Sequence, residues 1–349
     1  MRLEPREHSS IFLNLGAPVF AVLAGLAVCS IMVWLAGAPA GKALVLIFRG
    51  ALGSKFAISE TLTRTTPLIF CGLAAAVAFR AKLWNIGAEG QLYMGAVAAT
   101  LVGTGLVDFP GYLLIPLVFA AGALAGGILL LGPALLKTKL KVDEVVTTLL
   151  LNFIVLLFVN WLVFGPWKDP MALGWPQARP ILDAAILGKL IPRTRLHSGL
   201  LISLAIAVIV WAFMRFTRWG LETRAVGANV RAARFSGIPV NRTIVRTALI
   251  SGGLAGMAGV CELTGVRDYL TLDLSPGFGY TGIVVAMLAG LHPLGVILAS
   301  FFISVIYIGA DSMTRQLGIT RYIADVNTAV CLLTMLTTML LTRYRIRLK

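Results

Sequence analysis

The chain has 349 residues, 58% hydrophobic and 13% charged, with a formal net charge of +15. Soluble domains carry roughly 45–50% apolar and about 25% charged residues, so water is not the main solvent of this sequence. Its apolar runs are continuous rather than alternating with period two, which excludes a transmembrane barrel and predicts an all-α, polytopic membrane helix bundle.

In a soluble protein a charge of +15 would suggest nucleic acid. Here no basic stripe is interleaved with exposed aromatics. Lys and Arg are read instead as holding loops on the cytoplasmic side of a bilayer, with no nucleic-acid partner. Cys29, Cys71, Cys261 and Cys331 each sit in an apolar run without CxxC spacing, and they read as small core residues.

In chain order, residues 1–10 are a polar tail. The first span, 11–36, reads as retained rather than as a signal peptide. Residues 37–64 are mixed and amphipathic. The second span, 65–79, is led by Pro67. Residues 80–91 form a polar, glycine-bearing break before the third span, 92–106. A tight turn at 108–111 precedes the fourth span, 112–136, and a basic loop at 137–141 follows it. Asp143 and Glu144 open the fifth span, ending at Phe164, because acids suit a helix N-terminus. Residues 165–198 are a long loop with five prolines. The sixth span is 199–216, and a basic segment occupies 217–246. The seventh span, 247–264, contains Gly252, Gly253, Gly256 and Gly259, and the spacing Gly252-x-x-x-Gly256 permits close helix packing. Spans eight and nine are split by His292-Pro293. Residues 311–322 read as a polar turn, span ten covers 323–341, and a basic tail closes the chain.

The reading is one membrane domain of about ten transmembrane helices, with a first half 11–164, an external loop 165–198 and a second half 199–342. Ten spans put both termini on one side, and the distribution of Lys and Arg makes that side the cytoplasm. Five spans per half require the second half to be inverted, an arrangement that sets substrate pathways at broken helices.

Enzyme chemistry has little support. HExxH and G-x-S-x-G are absent, and residues 50–55 lack the spacing of a phosphate-binding loop. His8, His197 and His292 have no second ligand at metal spacing. We expect no catalytic residue, no metal and no cofactor on this chain. Intramembrane acids would mark an ion-coupled carrier, and only Glu89 and Glu262 come near a span.

Two segments stand out. In Trp84–Gln91, the side chains Asn85, Glu89 and Gln91 are costly in hydrocarbon unless they line water or pair with protein. The segment reads either as a loop capping the next helix or as a hinge beside a translocation path. Phe278 and Tyr280 lie in PGFGY, 276–280, before the eighth span. They read either as shaping an external gate and stacking on a planar ligand or as ordinary interfacial aromatics. The second segment is RAVGANVRAARFSGIP, Arg224 to Pro239. Asn229 is a good N-cap, Val230 to Ser236 gives about two helical turns, Gly237 is a stop, and Pro239 prevents continuation. This short helix reads either as a docking plug or as a basic loop held by anionic headgroups.

At these residues the chain resembles a known family. Arg224 to Ile238 is similar to the coupling-helix region of ABC-importer permeases of the branched-chain amino acid/ribose superfamily. NIGAEGQ at 85–91, RLHSG at 195–199 and GFGYTGI at 277–283, through His292-Pro293, resemble its nucleoside and simple-sugar branch. The resemblance covers about 61–342 and implies a permease working by alternating access. It implies cytoplasmic ATPase subunits holding ATP and Mg, a second, homologous permease, and a periplasmic or lipid-anchored binding protein. On it, Gly227, Asn229, Ala232, Arg234 and Gly237 carry coupling to the ATPase, and Asn85, Glu89, Gln91, Phe278 and Tyr280 lie near the path of a nucleoside or simple sugar. An ion-coupled carrier and a non-transporting membrane scaffold are the alternatives.

Overall fold

The computed structural model describes residues 39–105 and 110–318, the segments 2–5 and 344–347, and scattered helical positions between 20 and 34 and between 326 and 337. The expected first and tenth spans fall largely outside the described residues. What is described is mainly helical. The helices are α1 (Ala40–Leu52), α2 (Lys55–Arg80), α3 (Ala88–Gly103), α4 (Gly111–Leu135), α5 (Glu144–Phe164), α6 (Gly199–Phe216), α7 (Arg218–Ala228), α8 (Val230–Phe235), α9 (Val240–Glu262), α10 (Phe278–Leu288) and α11 (Pro293–Leu317). Short π-helical turns extend α4 through Leu140 and α9 through Arg267. With those turns included, α2, α4, α5, α6, α9 and α11 are long and apolar enough to cross a membrane.

Two helices agree with their sequence signals. Asp143 caps α5 by accepting from the Val145 N–H at 2.8 Å, and α6 covers Gly199–Phe216. Three ends differ. The second span starts at Lys55, not at residue 65. Its early residues look polar, yet the Ser59 hydroxyl donates to the Phe56 carbonyl and that of Thr66 to Leu62, which hides the hydroxyls inside the helix. Helix α9 begins at Val240 and takes Arg242 and Arg246 into its first turns. Residues 311–317, expected in a turn, continue α11: Asp311 and Arg315 pair at 3.7 Å, one turn apart, while Met313 is buried.

The chain divides into two compact units, residues 1–61 with 301–349, and residues 62–300. In the first, α1 packs on the later turns of α11 through Ala43, Ile47 and Met313. Its strands β1 (Arg2–Pro5) and β2 (Tyr344–Arg347) pair antiparallel, Arg2 opposite Arg347.

The second unit is built around α3, α4 and α9. The crossing of α4 and α9 is backbone on backbone: a Cβ at Gly256 would overlap the Gly122 carbonyl, and one at Gly126 would overlap the Gly252 carbonyl. Hydrocarbon offers no hydrophobic drive between helices, so close approach of small residues supplies the packing. Helix α2 is buried on all sides from Leu68 to Phe79, as expected of a helix without a polar face. The proline-rich loop is tied down by the bonds Ala178 N–H to Leu270 O (3.0 Å), Leu182 N–H to Gly103 O (2.8 Å) and Leu187 N–H to Thr264 O (2.8 Å).

Candidate functional site

Helix α8 is short because both of its ends are capped locally. The Asn229 side chain accepts from the N–H groups of Arg231 (2.9 Å) and Ala232 (3.2 Å). At the other end Gly237 has φ +78°. Its N–H donates to the Arg234 carbonyl at 3.1 Å, and the Ile238 N–H donates to Ala233 at 3.0 Å. This bond pair is the Schellman closure, which needs a left-handed residue after the helix. Ala233 is buried, whereas Arg231, Ala232 and Arg234 are exposed and Phe235 is 95% exposed. A helix of six residues that leaves a phenylalanine in the open presents a surface rather than packing a core.

The helices on either side of α8 in the chain are clamped together. Glu222 of α7 accepts from Arg246 of α9 (Nη2 to Oε2, 2.5 Å) and from Arg218 (Nε to Oε1, 3.2 Å). The Arg246 guanidinium also lies 4.9 Å from the Trp219 ring centroid, a favourable cation–π geometry. Gly227 ends α7 against the end of α2: a Cβ there would overlap the Arg80 carbonyl. The exposed helix is thus joined through Gly227 to the first residue of the polar break at 80–91.

That break is held by a buried polar network. The Asn85 and Gln91 amides bond reciprocally, 2.9 Å in each direction. Asn85 also donates to the Ser251 hydroxyl at 3.1 Å, and Ser251 donates to the Ala74 carbonyl at 2.7 Å. Asn152 of α5 accepts from the Gly90 N–H (2.8 Å) and donates to Ile86 O (2.9 Å) and the Tyr280 hydroxyl (3.0 Å). Glu89 accepts from the Gly279 N–H at 2.7 Å. At the rim Glu144 accepts from the Trp84 N–H at 3.2 Å and pairs with Lys137. Asn85, Glu89 and Gln91 are therefore buried and bonded to protein, and the first turn of α3 finds partners for N–H groups that no helix satisfies internally.

The structure brings Asn85, Glu89, Gln91 and Tyr280 into this one network. Phe278 is buried, and its ring lies 5.2 Å below the guanidinium carbon of Arg64. Glu262, buried near the end of α9, faces the charges of Arg64 and Arg267. Reading the sequence missed Arg64, Asn152, Ser251 and Glu222. A polar residue inside an otherwise apolar run was the available signal for Asn152 and Ser251. Arg64 carried no such signal, because residues 37–64 read as lying outside the spans.

Comparison with known proteins bears on this arrangement. Residues 57–339 match the family described as branched-chain amino acid transport system / permease component. The guanosine ABC transporter permease protein NupP of Bacillus subtilis is 34% identical over 92% of this chain and 92% of its own. The glucose ABC transporter permease protein TsgB13 of Haloferax volcanii is 33% identical over 99% and 93%. The nucleoside ABC transporter permease protein NupB of Lactococcus lactis is 32% identical over 81% and 80%. All three have a second matching permease protein in the same organism: NupQ beside NupP, NupC beside NupB, and TsgC13, described as a putative glucose permease protein, beside TsgB13. No solved structure matches the chain. With a family match over most of its length and relatives above 30% identity along nearly all of it, the chain belongs to the permease components of the branched-chain amino acid transport family.

Proposed function

We propose that this chain is the membrane subunit of an ATP-driven importer that carries a nucleoside, or next a simple sugar, into the cytoplasm by alternating access. The substrate follows from the names of the relatives, which are guanosine, nucleoside and glucose permeases. ATP and Mg would sit on a separate ATPase chain. A second permease would complete the pathway, as the paired relatives NupP with NupQ and NupB with NupC suggest, and a binding protein would deliver the solute. The reading takes ten spans in a five-plus-five inverted arrangement, both termini cytoplasmic, in the inner membrane.

The observation that carries this reading is α8. It is capped at both ends, exposed along most of its length, and joined through Gly227 to the end of α2. We assign Gly227, Asn229, Ala232, Arg234 and Gly237 to coupling. Asn229 and Gly237 set the ends of α8, Ala232 and Arg234 form its docking face, and Gly227 passes its movement to the break at 80–91. Asn85, Glu89 and Gln91 then act on the path by holding that break in shape, with Phe278 and Tyr280 on the facing helix.

The test is ATP-dependent uptake of labelled guanosine and glucose by vesicles containing the complete transporter. Gly237→Val forces a branched side chain into the left-handed region. It should abolish uptake while membrane insertion is unchanged, and normal uptake by that variant would sink the coupling assignment. Uptake without any ATPase, collapsed by an uncoupler, would replace this reading with an ion-coupled carrier.

A further inference from the structure

The clamp between α7 and α9 lines a cavity of about 600 Å³ that the transport reading does not use. It is walled by the last residues of the helix Gly111–Leu140, the start of α7 and the first turns of α9. Three helices long enough to span a membrane meet at this level. Gly111–Leu140 ends in the wall, Gly199–Phe216 ends two residues before Arg218, and Val240–Arg267 begins there. In a bilayer, the ends of spanning helices lie where hydrocarbon gives way to headgroups.

The lining joins two chemistries. The Trp219 ring, half exposed, and the Val245 side chain give an apolar wall, and tryptophan is favoured at the membrane–water boundary. Lys139, Arg218, Arg242 and Arg246 give four positive charges against the single acid Glu222. Both Glu222 oxygens are occupied by Arg218 and Arg246. Lys139 and Arg242 are exposed and have no ion pair among the described residues. Two cations thus border a half-apolar cavity at headgroup level with no carboxylate left to meet them.

We propose that this cavity binds the phosphate headgroup of an anionic phospholipid, with Lys139 and Arg242 as its direct partners. Trp219 and Val245 take the glycerol and the first acyl carbons. A soluble phosphate would gain nothing from the apolar wall, whereas a lipid uses both chemistries at the depth where its headgroup already lies. Basic pockets between spanning helices are suited to such headgroups. The occupant would brace α7 and α9, the two helices that flank α8, so the bilayer's charge would reach the docking helix.

The test measures lipid retained by the purified full-length chain, by native mass spectrometry from detergent, with phosphatidylglycerol and phosphatidylcholine as probes. Each cation near an anionic headgroup contributes about five-fold in affinity, so Lys139→Gln with Arg242→Gln should weaken phosphatidylglycerol binding about thirty-fold. Both side chains are exposed, so the double variant should melt as the unaltered chain does. Arg193→Gln, an exposed cation in the proline-rich loop, should change nothing, and excess inorganic phosphate should leave the lipid bound. The proposal is overturned by equal retention in the double variant, by equal affinity for phosphatidylcholine, or by displacement with inorganic phosphate, which would make the site one for a soluble anion.

Discussion

Asn152 supports the most demanding prediction. Its amide accepts from Gly90 at 2.8 Å and donates to Ile86 at 2.9 Å and to Tyr280 at 3.0 Å. Asn152→Leu keeps the branched heavy-atom skeleton and opens no cavity, so the cost comes from lost hydrogen bonds, with the extra bulk of two methyl groups adding to it. A hydrogen bond between membrane helices contributes about 0.6 kcal/mol on average and about 1.7 at most. Three average bonds set a floor of about 2 kcal/mol. The Gly90 N–H and Ile86 carbonyl are also left buried without this partner, at roughly 1–3 kcal/mol each when nothing replaces it, which sets the expectation at about 2–6 kcal/mol. The assay is detergent-titrated unfolding of the purified chain, with Tyr280→Phe alongside. That variant removes only the 3.0 Å bond and should cost about 0.6 kcal/mol. If Asn152→Leu unfolds within about 0.5 kcal/mol of the unaltered chain, or Tyr280→Phe costs as much, the network does not hold the break and the reasoning fails.

At the α4–α9 crossing, Gly256→Val sets a side chain onto the Gly122 carbonyl. Overpacking costs about 1–3 kcal/mol even where side chains can yield, and backbone cannot. The same unfolding assay should show a loss of about 3 kcal/mol or more, and a neutral result would mean that the helices separate freely. Asn229→Ala removes the cap of α8, worth about 1 kcal/mol. It should lower transport-coupled ATP hydrolysis in the assembled importer without lowering the chain's melting temperature, and unchanged coupling would count against α8. His197 lies outside the spans, and burial, with the charge of Lys189 added, lowers its pKa to about 4. An unfolded histidine takes its proton near pH 6.5. Stability from the neutral ring is therefore complete above about 6.5 and is lost as pH falls towards 4, by about 3 kcal/mol at most. His197→Gln should flatten the fall in melting temperature across that window, and parallel curves would refute the cause.

Some of this architecture was legible because it is local. The ends of α5 and α6 were readable because an acid and a loop meet uniform apolar runs there. Both stops of α8 were readable because Asn229 and Gly237 act on backbone groups within three or four residues. The start of α2 was misread for an equally local reason. Serine and threonine count as polar in composition, but inside a helix their hydroxyls return to its own carbonyls.

The polar break divides what each level determined. By itself the sequence determined that Asn85, Glu89 and Gln91 need partners, because unpaired amides and carboxylates are too costly in hydrocarbon. It could not name them. Ser251 lies 166 residues from Asn85, Gly279 lies 190 from Glu89, and Tyr280 lies 128 from Asn152. Those contacts exist only because α2, α5, α9 and α10 converge on the break, and that convergence depends on glycines that let α3, α4 and α9 touch backbone to backbone. Spacing along a chain reports the neighbours one helical turn away. Only tertiary packing decides which distant polar group completes a buried hydrogen bond.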